Sequence, residues 1–514
     1  MRALLLVLLT ALTTAATVAS AEPVPTVPVT SDLPPAVTSE LPDMGSPAAT
    51  VLSQSDEYRM GAMVSRELRD QNALIEDPEV SEYVQSVGSR LAAQSPDGGR
   101  NFQFFVVKDG AINAFAVPGG FVFVNYGLVL ATGSESELAS VMAHEIAHVT
   151  QHHIARQIKA QSQQSITSTA AILAAILLGA IGGGGQAIEG GIMAAQGMAI
   201  QQRINFSRDN EAEADRVGIG YLAGAGFDTQ AMGNFFETIS RHEGLAATYI
   251  PAMLVDHPVT SDRIAEARAR AAQFPPRRAK DSVGYQLIRE RLRVLTATGD
   301  VDIEKYYARR IALGYADLGN RYGEALALMT DNKPAEAQRI LHKLTQEHEG
   351  ITLLHSALGQ AEAKSGQTND ALATFKHAVA LFPRNVPVTV RYAEALMAAG
   401  DAKQAHEVLL DLINNVPPTP DQIRLTALAA SAAGDAGDAY FYMGEYQIAG
   451  GDLVLAAQQY QLALAAPNLT QVQRQRYQAR LDEVREYLAN ARMRHVVSAG
   501  QGQSQGPDAS GGGH

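Results

Sequence analysis

The chain has 514 residues, of which 46% are hydrophobic and 18% are charged, so it is long enough for several packed domains and wholesale disorder is excluded. It contains no cysteine, which excludes a disulfide scaffold, a cysteine-ligated zinc finger, a thiol nucleophile and a lipid-anchored N-terminal cysteine. Its formal net charge of −13, from 41 basic and 54 acidic residues, argues against nucleic acid as the main partner.

The N-terminus has the pattern of a cleavable export signal. Arg2 supplies the positive charge, Leu4 begins an apolar stretch that is too short to span a bilayer, and residues 19–21 (ASA) fit a cleavage site. We therefore predict that residues 1–21 are a signal peptide that is removed on export. Residues 22–50 are rich in Pro, Thr, Ser and Val without helical periodicity, which predicts a disordered linker.

Residues 51–275 are predicted to form a domain of mixed α and β structure. Asp77 followed by Pro78 is a strong helix start, since the aspartate can cap the helix and proline is tolerated in its first turn. Residues 102–107 (FQFFVV) and 121–125 (FVFVN) have the composition of buried strands. The domain should therefore pack helices against a small sheet.

The HEIAH sequence that begins at His144 points to metal chemistry. A capping box over residues 134–137 (SESE) independently predicts a helix that runs to about Arg156. On that helix His144 and His148 lie on one face, so both imidazoles can bind one metal ion. Glu145 is then placed to act as general base on an activated water molecule. The alternative is a surface helix that happens to carry two histidines.

Two further histidines follow the HEIAH sequence. His152 lies a full turn beyond His148 and is not expected to be a ligand. His153 is predicted to pack in the core or to orient a ligand from outside the metal's immediate shell.

Residues 166–200 form an apolar segment interrupted by four glycines at 182–185. Its most apolar run, residues 170–181, is shorter than the ~20 residues needed to span a bilayer. Two interpretations remain open. The segment is either a buried helical hairpin that covers the site, or a mobile flap that contacts membrane or unfolded substrate with the glycines as its hinge.

Two downstream segments offer additional ligands, because a catalytic metal needs a third protein ligand. Glu211 and Asp215 lie four residues apart on another predicted helix, so one can bind metal while the other orients a ligand; a solvated helix face is the alternative. His257, in a DHP sequence, has three candidate roles: it occupies the open metal position, stabilises an oxyanion, or caps the helix that begins near Thr260.

Beyond residue 276 the strand signals stop and a helical pattern with a period of 34 residues begins. The repeated positions are Gly366, Ala371, Phe375, Ala378 and Pro383, followed by Gly400, Ala405, Leu409, Leu412 and Pro417. This pattern resembles the tetratricopeptide repeat. We predict a separately folding, partner-binding repeat domain over residues 276–490, with an extra helix near residues 421–433 and a disordered tail over residues 491–514. The proline pair at 275–276 marks either a hinge or the start of close docking.

Three motifs in combination carry a family resemblance. The HEIAH sequence, the SRDNEAEAD stretch at 207–215 and the NAFAVPGG stretch at 113–120 resemble the metallopeptidase family of the bacterial heat-shock protease HtpX and the CAAX-prenyl endopeptidases. With the repeats included, the resemblance covers about residues 50–490. It implies a mostly α chain in which an α+β gluzincin-like metallopeptidase domain is followed by an all-α tetratricopeptide-repeat solenoid.

The resemblance also implies roles for particular residues. His144, His148 and Glu211 would be the ligands of one Zn²⁺ ion per chain. Glu145 would be the catalytic base that takes a proton from the attacking water and passes it to the leaving amine. Asp215 would be the accompanying carboxylate that orients a ligand or relays protons.

Two more expectations follow from the same resemblance. Glu213 is off the family's spacing and would be a surface acid. The strand at 121–125 would lie beside the cleft and hold substrate backbone by β-augmentation.

The function that the resemblance implies is that of a periplasmic zinc endopeptidase of Gram-negative bacteria. It would act on misfolded or stalled outer-membrane β-barrel proteins and assist their assembly through the repeats, which would dock to the β-barrel assembly machinery. Peripheral membrane contact through residues 166–200 is a further expectation. The alternative is a chaperone or adaptor with a latent protease domain, in which the repeats do the main work; the intact ligand set favours the enzyme.

Overall fold

The computed structural model describes residues 53–96, 102–153, 208–245, 253, 257–277, 279–299 and 301–502. The expected signal peptide, the linker and the apolar segment 166–200 lie outside the described residues. Within those ranges, no helix combines the length and apolar character that crossing a bilayer requires.

The N-terminal domain packs helices around a small sheet, and two of its strands match the predicted ones. Its described elements are α1 (Gln54–Asp70), α2 (Pro78–Ala92), β1 (Gln103–Val107), β2 (Ala114–Val117), β3 (Phe121–Asn125), α3 (Tyr126–Ala131), α4 (Glu135–Thr150), α5 (Arg208–Ala225), α6 (Ala231–Leu245) and α7 (Ser261–Ala271). Helix α2 starts as predicted, because the Asp77 carboxylate accepts a hydrogen bond from the N–H of Val80 at 3.1 Å. Strand β2 lies within the NAFAVPGG motif, for which the sequence predicted no strand.

The sheet has the order β1-β3-β2, with β1 parallel and β2 antiparallel to β3. Strand β3 is therefore hydrogen-bonded on both sides. Only a strand with a free edge can accept an added strand. The expectation that residues 121–125 hold substrate by β-augmentation is wrong for this reason. An added strand would have to pair at an edge strand such as β2.

The turn between β2 and β3 explains the glycines of the NAFAVPGG motif. Gly119 and Gly120 have φ angles of 88° and 87°, a backbone conformation that favours glycine. A Cβ atom on Gly119 would also lie 2.6 Å from the backbone of Glu57 and Tyr58 in α1. The motif therefore allows the hairpin to turn tightly against α1.

Helix α4 begins as predicted but ends early. The Ser134 hydroxyl accepts a hydrogen bond from the N–H of Glu137 at 3.2 Å, and the Glu137 carboxylate accepts one from the N–H of Gly133 at 2.7 Å. The helix ends at Thr150, because His152 has a φ of 53° and so leaves the helical conformation. Helix α4 packs against α2, the sheet, α5 and α6, which buries the HEIAH sequence.

The C-terminal region is helical throughout its described residues and keeps the 34-residue period. Its helices are α8 (Val283–Leu295), α9 (Ile303–Ala312), α10 (Leu318–Thr330), α11 (Pro334–Glu347), α12 (Thr352–Lys364), α13 (Thr368–Leu381), α14 (Val386–Ala398), α15 (Ala402–Asn415), α16 (Pro420–Ala432), α17 (Ala436–Ala449), α18 (Leu453–Ala465) and α19 (Gln471–Gly502). The helices that begin at 318, 352, 386 and 420 are 34 residues apart. Helix α16 is the extra helix predicted near residues 421–433, and α19 continues past residue 490.

A buried ion-pair network joins the repeats to the N-terminal domain. Arg291 of α8 contacts the carboxylates of Asp77 and Glu79 at 2.6 and 3.1 Å. Arg391 of α14 contacts the same two carboxylates at 2.8 Å each. Of the two arrangements left open by the proline pair, the structure therefore has the docked one.

Residues near the C-terminal end of the repeat region also contact the N-terminal domain. Arg66 of α1 lies 3.3 Å from Asp452, the N-cap of α18. A Cβ atom on Gly451 would lie 3.3 Å from Met63 and 3.5 Å from Ala62. The array thus contacts the domain at its start and near its end.

Candidate metal centre

The two histidines of the HEIAH sequence point into the protein interior from one face of α4. Their Nε2 atoms lie 2.9 Å apart, and both side chains are buried. The spacing of four residues places them one helical turn apart. The structure therefore brings His144 and His148 together as predicted.

Glu211 reaches the same point from α5. Its carboxylate oxygens lie 3.4 Å from His148 Nε2 and 3.6 Å from His144 Nε2. The approach depends on Gly218 of α5, because a Cβ atom there would lie 3.2 Å from the backbone of Ala143 and His144. The small residue allows the two helices to cross closely beside the site.

His257 is the fourth residue at the site. Its Nδ1 lies 2.9 Å from Glu211 Oε1 and 3.4 Å from His144 Nε2, and the side chain is buried. The capping role considered for it belongs instead to Thr260, whose hydroxyl accepts a hydrogen bond from the N–H of Arg263. His257 therefore adds a fourth possible ligand atom to those of His144, His148 and Glu211.

The four residues form a donor set suited to a metal ion. One ligand atom each from His144, His148, Glu211 and His257 lies within 4.8 Å of the other three. Imidazole nitrogen and carboxylate oxygen without thiolate are ligands that Zn²⁺ accepts readily. The chemistry of the set therefore fits the predicted metal.

The protonation states of two of these residues suit metal binding. Burial lowers the pKa of His148 well below its ordinary value, so its ring is neutral at pH 7 and can offer a lone pair. Burial alone would raise the pKa of Glu211, but the neighbouring imidazoles of His257 and His148 hold it below its ordinary value. A neutral imidazole and an ionised carboxylate are the forms that bind metal.

Asp215 supports the site from behind His144. Its Oδ1 lies 2.9 Å from His144 Nδ1, on the opposite side of the ring from the donor cluster. Burial opposes ionisation of Asp215, but hydrogen bonds from His144 and Arg263 lower its pKa below the ordinary value. A carboxylate in this position can orient the ring of the histidine, which is one of the two roles that the resemblance implies for Asp215.

Arg263 is a site residue to which the sequence analysis assigned no role. It donates hydrogen bonds of 2.8 and 2.9 Å to Asp215, and its Nη1 lies 2.8 Å from Glu211 Oε2. A planar guanidinium can hold two carboxylates in this way. The sequence feature that could have indicated Arg263 is its position six residues after His257, on the next predicted helix.

His152 lies outside the donor cluster, whereas Glu145 contacts one of its members. His152 Nδ1 faces Glu57 at 3.5 Å, so it lies outside the donor cluster as predicted. Glu145 is buried, and its Oε1 lies 3.7 Å from His257 Nε2. The Glu145 carboxylate therefore lies beside the ring of His257, which belongs to the donor cluster.

Glu213 is more than the surface acid that the sequence suggested. Its Oε2 lies 3.1 Å from Nε2 of the buried His153, whose Nδ1 lies 3.0 Å from His148 Nδ1. His153 therefore contacts a site histidine from behind, in agreement with the predicted orienting role. The family spacing does not indicate this role, because Glu213 is two residues from Glu211 and therefore lies on a different face of the helix.

Comparison with known proteins covers both domains. The model of peptidase family M48 matches residues 78–271, and a tetratricopeptide-repeat model matches residues 362–431. A relative from Vibrio cholerae is 34% identical over 451 residues, which are 87% of this chain and 92% of that protein. The beta-barrel assembly-enhancing protease of Escherichia coli is 32% identical over 452 residues, which are 87% of this chain and 91% of that protein. The mitochondrial metalloendopeptidase OMA1 of Schizosaccharomyces pombe is 30% identical over 188 residues, 35% of this chain and 50% of its own.

Proposed function

Because the chain belongs to peptidase family M48, we propose that it is a zinc-dependent endopeptidase of the periplasm that acts on misfolded or stalled outer-membrane β-barrel proteins. The family membership agrees with the resemblance drawn from the three sequence motifs, and it makes the chain a metallopeptidase. The observation that carries the proposal is the convergence of donor atoms from His144, His148 and Glu211 beside Glu145. The export signal expected at residues 1–21 supports the compartment, and the name of the Escherichia coli relative supports the substrate class.

The residues of the site divide the chemistry among them. A zinc ion held by His144, His148 and Glu211 would supply Lewis-acid activation of a water molecule and of the scissile carbonyl. Glu145 takes the proton of the attacking water and gives it to the leaving amine, as a carboxylate beside the site can do. Asp215 holds the ring of His144 in the orientation that binding requires.

His257 supports a latent resting state. A catalytic zinc site keeps one position open, whereas four protein ligands make a closed site. With its Nδ1 among the other three donors, His257 would close the position that water needs when a metal ion is bound. We therefore propose that the His257 side chain moves away before substrate is cleaved. The same observation favours the second candidate function, in which the protease is mostly latent and the repeats act as a chaperone or adaptor.

The repeat region is proposed to bring substrates to the site. Stacked helix pairs expose an extended surface that suits binding of a peptide or a protein partner. We propose that this surface docks to the β-barrel assembly machinery and retains stalled precursors there. The name of the Escherichia coli relative supports this assignment.

The test uses the full-length chain purified after export. Metal content is measured by mass spectrometry, and cleavage is followed on an unfolded outer-membrane β-barrel protein, with the same protein folded in detergent as the control. We expect about one zinc per chain, and cleavage of the unfolded form that a chelator stops and added zinc restores. Cleavage that is insensitive to chelator, or a chain without bound metal, would contradict the proposal.

A further inference from the structure

The nitrogen of His148 that faces away from the donor cluster lies against a second buried histidine. His148 Nδ1 is 3.0 Å from His153 Nδ1, and His153 Nε2 is 3.1 Å from Glu213 Oε2. The two rings are 0% and 1% exposed. A line of contacts therefore runs from the metal position, through two imidazoles, to a carboxylate of α5.

The position of the proton on each ring follows from metal binding. To bind metal through Nε2, His148 must carry its lone pair there, so the proton of the neutral ring is on Nδ1. That proton can be donated only to an acceptor, which requires the lone pair of His153 to be on Nδ1. His153 then carries its own proton on Nε2 and donates it to the carboxylate oxygen of Glu213.

We propose that Glu213 and His153 are positioning residues that hold His148 in the tautomer that binds metal. Without Glu213, His153 loses this acceptor at Nε2 and can carry its proton on Nδ1, from which it is donated towards His148. His148 would then carry its proton on Nε2, where it blocks metal binding. This inference rests on the proposed role of His148 as a ligand.

Nδ1 of each of the two histidines His144 and His148 has a carboxylate behind it, but at His148 a second imidazole lies in between. Asp215 contacts His144 Nδ1 directly at 2.9 Å, whereas Glu213 acts on His148 through His153. The Glu213 side chain is 33% exposed, and Arg216 lies 3.3 Å from its other oxygen. This partial exposure makes Glu213 a residue that can be replaced without opening a cavity in the core.

The first experiment measures zinc affinity of the full chain by competition with a chelator. Glu213→Ala and His153→Leu are expected to weaken zinc binding about 10- to 100-fold, the range known for residues that orient metal ligands. Glu237→Ala is the matched control, because Glu237 is 37% exposed and pairs with an arginine, Arg268, at 2.6 Å. The control is expected to keep wild-type affinity. The melting temperature of the metal-free proteins shows whether each variant is folded.

The second experiment separates a tautomer effect from loss of packing. In His153→Asn the Oδ1 of the introduced asparagine stands near the place of Nδ1 and can accept the proton of His148. This variant is expected to keep most of the zinc affinity that His153→Leu loses. Adding Glu213→Ala to it is expected to weaken binding little further, because the asparagine no longer depends on the carboxylate.

Two results would overturn the inference. One is wild-type zinc affinity in Glu213→Ala, and the other is an affinity of His153→Asn as weak as that of His153→Leu. A wild-type chain that binds no zinc would overturn the proposed function, and this inference with it. Zinc binding by the wild type with unchanged affinity in Glu213→Ala would overturn this inference alone.

Discussion

The carboxylate of Glu135, in the first turn of the helix that carries the HEIAH sequence, accepts hydrogen bonds from both the N–H and the hydroxyl of Ser282, at 3.0 and 2.7 Å. Ser282 is the N-cap of α8, the first helix after the proline pair, and Asp281 in turn accepts a hydrogen bond from the N–H of Glu135 at 2.7 Å. Helices α4 and α8 therefore cap each other. The start of the helix that bears the metal site is held by the beginning of the repeat region.

The mutual cap predicts that Ser282→Ala destabilises the whole chain. The variant loses the hydroxyl that bonds Glu135 and the side-chain oxygen that accepts from the N–H of Tyr285. We expect the free energy of unfolding to fall by about 1–2 kcal/mol, measured by urea denaturation. Thr470→Ala, which removes an exposed cap far from α4, is the control for the loss of a cap alone. Equal effects of the two variants would show that the link to Glu135 adds no stability.

The assignment of Glu145 as general base predicts a separation of metal binding from catalysis. Glu145→Gln keeps the shape of the side chain but cannot take a proton, so it should keep zinc and lose peptide cleavage. His144→Ala and Glu211→Ala should lose both, because each removes a ligand. Metal content and cleavage of an unfolded protein substrate are measured on the same preparations. Near-wild-type turnover by Glu145→Gln would show that another group is the base.

The location of His257 in the donor cluster predicts that removing its side chain activates the enzyme. In His257→Ala the fourth position is available to water, so basal cleavage of an unfolded protein should increase. A residue that stabilised the oxyanion would behave in the opposite way, with kcat falling by ~10²-fold or more. The sign of the change in kcat therefore distinguishes the two roles. Unchanged kinetics would show that His257 neither blocks the fourth position nor stabilises the oxyanion.

The ion-pair network between the domains predicts a specific sensitivity to acid. Burial alone would raise the pKa of Glu79, but Arg291 and Arg391 hold it below its ordinary value of 4.5. Because the pKa is lower in the folded state, this pairing stabilises the fold above pH 4.5 and is lost as the pH falls below it. We expect the free energy of unfolding to decrease between about pH 5 and pH 3, and Glu79→Gln to flatten that decrease.

The matched control for the acid experiment is Glu266→Gln. Glu266 belongs to an exposed pair with Arg270 on the same helix, and such pairs contribute little to stability. Its substitution should leave the pH dependence as in the wild type. A wild-type slope in Glu79→Gln would show that other carboxylates cause the acid sensitivity.

Local patterns predicted the elements that carry the proposed metal ligands. The interval between His144 and His148 is close to one helical turn, so their shared face follows from helix geometry before any packing is known. Glu211 and Asp215 share a helix face for the same reason, although the role of each came from the family resemblance. The 34-residue period likewise predicted the repeats, because each helix pair repeats the same small and apolar positions at the contact with its neighbour.

Intervals along the chain thus show which residues share a helix face and where the helices recur, since both depend on spacings of a few residues or on a fixed period. The packed fold is needed to show that His257 lies 2.9 Å from Glu211, that Arg263 donates hydrogen bonds to Asp215, and that β3 is the central strand. His257 and Glu211 are 46 residues apart in the chain, and no periodicity connects them. Contacts of this kind depend on how helices cross and strands pair, which is set by the packing of the whole core.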